Sequence, residues 1–211
     1  MENDTPNKIK ISKEIIATLP IETFPGKIVV IDNERDADNA VLQLNNERII
    51  GFDTETRPTF KKGKSNHVAL IQLSTHDTCY LFRINRIGFT PAIKNLLENE
   101  SLLKVGISLK DDFCMLSRLN GRQFIPRNFI ELQKFVKKYN IEDQSLQKIY
   151  GIVIGKKISK GQRLSNWEAD HLTENQQLYA ATDAWSCIKI YEVLKSGKFK
   201  SPIYKIQPSS L

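Results

Sequence analysis

Cysteine is scarce in this sequence of 211 residues: Cys79, Cys114 and Cys187 are the only three. An odd, widely spaced set with no Cys-x-x-Cys pair suggests neither a disulfide framework nor a zinc site and suits a reducing compartment. No apolar run approaches the length needed to cross a bilayer. The opening Met1-Glu2-Asn3-Asp4-Thr5-Pro6 lacks the pattern of a secretory signal. An intracellular, cytoplasmic protein is expected. There is no internal repeat and no low-complexity block. Two motifs that would redirect the reading are missing as well. Gly151-Ile152-Val153-Ile154-Gly155-Lys156 has three residues between its glycines where a phosphate-binding loop needs four, and Lys157 stands where Ser or Thr belongs. Gly106-Ile107-Ser108-Leu109-Lys110 lacks the second glycine of a hydrolase nucleophile elbow, which speaks against a serine esterase.

What is present is the composition of a globular domain. Hydrophobic residues make up 40% and charged residues 26%, enough for one domain with a sizeable core plus extensions. Lysine and arginine outnumber aspartate and glutamate by 31 to 24, giving a net charge of +7. That excess tilts the chain towards a polyanionic partner such as nucleic acid, although a solvated, lysine-rich surface produces the same number.

The chain is organised around Ile49-Ile50-Gly51-Phe52-Asp53-Thr54-Glu55-Thr56. Ile49, Ile50 and Phe52 favour a buried strand. Strand alternation then points Asp53 and Glu55 the same way, with Thr54 opposite. Two carboxylates side by side at the end of an apolar strand lose hydration and repel, so a cation should offset them. Oxygen ligands suit Mg²⁺ or Mn²⁺.

Around that strand the periodicity predicts a mixed-sheet α/β domain over residues 27–196, with an extension at 1–26 and a tail at 197–211. A short helix is expected near 13–18. Strands are expected at 27–31, 49–56, 68–74 and 78–84, the last three as an antiparallel meander. Further strands are expected at 102–108 and 129–132. Helices are expected at 38–45, 91–99, 109–119, 133–139 and 145–150, with a loop from Gly151 to Asn166. The longest helix should run over 173–194, with Thr173 as its N-cap and Gly197 beyond its end.

Two more acidic clusters join the first pair. In Val105-Gly106-Ile107-Ser108-Leu109-Lys110-Asp111-Asp112-Phe113 a strand runs into a helix. Asp111 suits the dipole of that helix's first turn. Asp112 shares a stripe with Leu116 and Leu119 and turns inward. On the long helix, Tyr179 and Asp183 are four residues apart and lie on one face, while Ala180 and Ala181 permit close approach. Four inward carboxylates and one phenol match the needs of two-metal phosphodiester hydrolysis, with the Tyr179 hydroxyl orienting or deprotonating water.

Asp53-Thr54-Glu55, Val105-Gly106 running on to Asp112, and Tyr179 through Asp183 resemble the three ordered motifs of the DEDD superfamily of 3′–5′ exonucleases, in its tyrosine-bearing branch. Leu164-Ser165-Asn166-Trp167, and Leu172 through Ala184, are similar to the Werner-type exonuclease domains of that superfamily, with the ribonuclease D group more distant. Leu178 stands where the histidine branch carries its base, and His67, His76 and His171 lie elsewhere. The resemblance covers about residues 27–195 and implies a ribonuclease H-like fold. It implies that Asp53, Glu55 and Asp183 hold one ion, that Asp53 bridges to a second, and that Asp112 reaches that second ion partly through water. It further implies two Mg²⁺ or Mn²⁺ ions, a water positioned by Tyr179, and nucleoside 5′-monophosphates released from the 3′ ends of DNA or RNA. No helicase or helical accessory module is expected.

Lys61, Lys62 and Lys64 after Glu55, and Lys156, Lys157, Lys160 and Arg163 before the long helix, are candidate phosphate contacts. Trp167, and more weakly Phe60, are candidate stacking residues, Trp167 being also a candidate buried anchor. The rival readings are a catalytically silent nucleic-acid-binding protein on the same fold and an endonuclease. Incubating a 3′-labelled strand with divalent metal separates the first, and cutting of a circular strand would reveal the second.

Overall fold

The computed structural model describes residues 8–57, 67–119, 121 and 124–200. In chain order the elements are α1 (Lys13–Thr18), β1 (Lys27–Ile31), α2 (Glu34–Leu44), β2 (Ile49–Thr56), β3 (Val68–Ser74), β4 (Thr78–Phe82), α3 (Ile84–Ile87), α4 (Pro91–Glu98), β5 (Leu103–Gly106), α5 (Leu109–Leu119), β6 (Phe129–Glu131), α6 (Leu132–Phe135), α7 (Leu146–Ile154) and α8 (Glu174–Lys195). A single 3₁₀ turn, Val136–Tyr139, continues α6.

The strands form one sheet in the order β1-β4-β3-β2-β5-β6. β2, β3 and β4 make the expected antiparallel meander. β1 runs parallel to β4, β5 to β2, and β6 to β5. Both faces are covered. Ile50 and Phe52 of β2 pack with α2, α4 and α5 on one side. α7, α8 and the N-terminal segment close the other, where Ile9, Ile11, Ile16 and Phe24 are buried with Trp185 and Ile190. β3 lies mid-sheet and is buried at every position, which explains its apolar character, broken only by Gln72 and Ser74.

Helix α8 crosses the sheet directly over β2. A Cβ at Gly51 would lie 1.9 Å from the Ala184 carbonyl oxygen, so a glycine is required where the two backbones touch. Thr173 caps α8, its side chain accepting from the Gln176 N–H while the Gln176 side chain accepts from the Thr173 N–H.

Several expected boundaries shift for local reasons. α2 starts at Glu34, ahead of 38, because Asn33 Oδ1 accepts the Asp36 N–H at 2.9 Å. β4 ends at Phe82, the last residue paired with β1, and Ile84 and Ile87 turn into the core as α3. β5 stops at Gly106, and Ser108 takes a left-handed φ of 60° before α5. β6 ends at Glu131 and α6 begins at Leu132, one residue before the expected start. The end of α7 shifts as far as the start of α2. Gly151 was expected to open a loop, yet the helix continues through it to Ile154 and ends at Gly155, φ 73°. A Cβ at Gly151 would meet Ile11 and Leu19 at 3.3 Å, so this glycine makes room for the N-terminal segment.

Candidate active site

The carboxyl end of β2 delivers Asp53 and Glu55, and α8 delivers Asp183, the residue before the Ala184 contact with Gly51. One oxygen from each of Asp53, Glu55 and Asp183 lies within 4.8 Å of the other two. The expected convergence therefore holds for three of the four acids. Asp112 stands beside this trio, on the α5 side of the sheet, where Thr54 Oγ1 donates to its Oδ1 at 2.6 Å. Thr54 points away from Asp53 and Glu55, as alternation requires, and thereby ties the second acidic cluster to the first strand. Leu119, expected on the inward stripe with Asp112, is 40% exposed at the helix end.

The electrostatics are those of a charge deficit. Loss of hydration, then the facing charges of Asp183, Glu55 and Asp112, push the Asp53 carboxyl well above the usual carboxylate range. Burial, then Asp183 and Asp112, push Glu55 up to about 9, with Arg163 pulling the other way. Burial raises Asp183 to about 7, tempered by the Tyr179 hydroxyl and by Lys160. Burial raises Asp112 to about 6 against the Thr54 hydrogen bond. An all-oxygen donor set this crowded and this short of positive charge fits hard divalent cations.

Tyr179 is buried, with its ring 6.1 Å from that of Trp167. Burial and then the Asp183 and Glu55 charges push its hydroxyl far above its ordinary value, so it stays protonated at neutral pH. A cleft of about 170 Å³ opens onto Asp53, Tyr179 and Asp183, with Lys160 and Arg163 on its wall. Ser145, Gln147 and Ser159 also line it and carry no motif that sequence reasoning could have used. A roomier groove of about 800 Å³ runs beside α5 and β6, but it holds none of the trio, and chemistry rather than size decides the site.

The basic candidates divide. Lys160 and Arg163 face the cleft. Lys156 instead pairs with Glu22 at 2.7 Å, and Lys157 Nζ donates to the Ala17 carbonyl, so both hold the N-terminal segment. Trp167 is fully buried and offers no face to a base, which leaves the anchor reading. Lys61, Lys62, Lys64 and Phe60 lie outside the described residues.

The model of a 3′–5′ exonuclease family matches residues 28–197. The chain belongs to that family. It is 35% identical over 201 residues to the mouse bifunctional 3′–5′ exonuclease/ATP-dependent helicase WRN (Mus musculus), covering 90% of this chain and 14% of that protein. The chain thus spans a small part of that relative's length. In fold it is similar to the Nibbler EXO domain of Aedes aegypti, with a TM-score of 0.74 and 23% identity over 83% of this chain and 91% of that one. It is also similar to Escherichia coli RNase D, with a TM-score of 0.72 and 20% identity over 82% and 45% of the two chains. These likenesses bear out the ribonuclease H-like sheet and the DEDD exonuclease resemblance. Among the described residues no helix is long and apolar enough to cross a membrane.

Proposed function

We propose that the chain removes nucleoside 5′-monophosphates from the 3′ ends of DNA or RNA, and that Asp53, Glu55, Asp112, Tyr179 and Asp183 carry the reaction. The observation that supports it most is the meeting of Asp53, Glu55 and Asp183 oxygens within 4.8 Å. In this reading those three acids hold one divalent cation, Mg²⁺ or Mn²⁺, and Asp53 with Asp112 holds a second. When bound, such ions supply Lewis acidity to the scissile phosphate and to the attacking and departing oxygens.

The other steps belong to the side chains. Tyr179, on the cleft beside Asp53 and Asp183, orients the attacking water through its hydroxyl. Lys160 and Arg163, on the cleft wall, attract the anionic strand and offset charge on the phosphate. Thr54 fixes the Asp112 carboxylate through its 2.6 Å hydrogen bond. The test is hydrolysis of a 5′-labelled oligonucleotide in Mg²⁺ or Mn²⁺. The parent should yield a ladder shortening from the 3′ end, and Asp53→Ala or Asp183→Ala should yield none while remaining folded. Normal activity in purified Asp53→Ala would refute the assignment.

A further inference from the structure

The buried run of β3 contains one amide, and it is left without a partner. Gln72 is fully buried, and among the described residues neither its Nε2 nor its Oε1 makes a hydrogen bond. A buried amide that no protein group satisfies carries a desolvation penalty. Methionine or leucine would fill the same space without it, and the flanking Ile71 and Leu73 show what the rest of the strand uses.

The ladder says what the amide is for. Gln72 is the direct antiparallel partner of Asp53, so the two side chains stand on the same face. Their Cβ atoms are then about 4.5–5.5 Å apart, within reach of a glutamine amide. Ile71 and Leu73 belong to the core on the opposite face. The other cross-strand neighbour of Gln72 is Leu81, which offers no polar atom. Ser74, next along the same face, commits its hydroxyl to the Thr75 carbonyl at 2.9 Å. Asp53 is the polar side chain that the ladder places opposite.

We propose that Gln72 is a positioning residue for Asp53 in the cation-loaded site: its Nε2, idle without metal, then donates to one Asp53 oxygen and leaves the other for the divalent cation. The inference rests on the reading of the Asp53–Glu55–Asp183 cluster as a cation site. Hydrogen bonds behind a ligating side chain set both its aim and its affinity.

Gln72→Met tests this, because it keeps the volume and deletes the amide. The metal-free variant should melt at or above the parent temperature, since an idle buried amide has been removed. Its Mn²⁺ affinity by calorimetry should fall about tenfold. Its kcat should fall as well, with KM for an oligonucleotide unchanged. A purely structural role predicts the reverse, a lower melting temperature with Mn²⁺ affinity intact. Gln72→Leu is measured beside it and read the same way should the methionine variant not fold. Mn²⁺ affinity within about twofold of the parent in the folded variants overturns the inference. A parent that binds no Mn²⁺ would instead overturn the reading of the cluster, and this inference with it.

Discussion

Replacing Asp53 by Asn should stabilise the metal-free protein while it abolishes activity. Asp53, Glu55 and Asp183 bring oxygens within 4.8 Å of one another in a partly buried site. At an effective dielectric of about 20, two full charges at that spacing repel by roughly 3 kcal/mol. Proton uptake relaxes part of this. The net cost that Asp53→Asn removes at about pH 8 is then about 2 kcal/mol, or roughly 4–8 °C in melting temperature for a chain of this size.

The sign follows from the folded-state shifts. Glu55 at about 9, Asp183 at about 7 and Asp53 well above its ordinary value are all raised on folding. Such groups stabilise most below the pKa of the unfolded chain, and their contribution is lost as pH rises through the folded values. The gain from Asp53→Asn should therefore shrink towards zero near about pH 4. With Mn²⁺ the order reverses. A ligand at about a hundred times its Kd adds roughly 2.7 kcal/mol to a protein that binds it, and the variant has lost one ligand. Thermal melts in EDTA and in Mn²⁺, at both pH values, give the answer. An Asn variant that melts below the parent in EDTA at the higher pH, or gains as much from Mn²⁺, would refute the reasoning.

Three more predictions concern the scaffold and the phenol. Tyr179→Phe should lower kcat about 10²-fold and leave the Mn²⁺-induced rise in melting temperature unchanged, since in the proposed reading the hydroxyl orients water and ligates nothing. Glu22→Gln should cost about 2 kcal/mol at neutral pH. Burial raises this carboxyl, but hydrogen bonds from Lys156, Lys189 and Tyr150 outweigh it and hold the group at about 2. The cost should vanish as pH falls from 4.5, the ordinary value, through about 2, as urea midpoints would show. Gly51→Ala should unfold the domain or lose both stability and activity, because its Cβ meets backbone at Ala184 that carries Asp183 with it. Gly161→Ala is the control, since its nearest neighbour is the Ser159 hydroxyl oxygen at 3.4 Å.

Some of this was readable from the chain alone, and the division has physical causes. Strand alternation fixed Asp53 and Glu55 on one face, and the four-residue spacing fixed Tyr179 with Asp183, because both are short-range periodicities. The meander followed from three closely spaced β-forming runs. Two glycines were misjudged or passed over for the same reason. Gly151 and Gly51 exist to admit distant segments, Ile11 in one case and Ala184 in the other, and nothing local announces that. Lys156 and Lys157 looked like free loop charges because their partners, Glu22 and the Ala17 carbonyl, are far away in sequence. Gln72 sits inside the expected strand at 68–74, and only the pairing places it opposite Asp53.

The protein contains two carboxylate systems that respond to pH in opposite directions, and together they separate scaffold from site. Glu22 is satisfied three times over and stabilises wherever it is ionised. At the acids 53, 55 and 183, burial and mutual repulsion outweigh the partners they have, so they oppose folding wherever they are ionised. Without metal, stability should rise as Glu22 ionises from acid pH upward, then decline as Asp183 and Glu55 are forced to lose their protons. A divalent cation should flatten the second limb and leave the first untouched, because Glu22 lies outside the cleft. A cation that raised both limbs alike would mean that it stabilises the chain by some route other than these three acids.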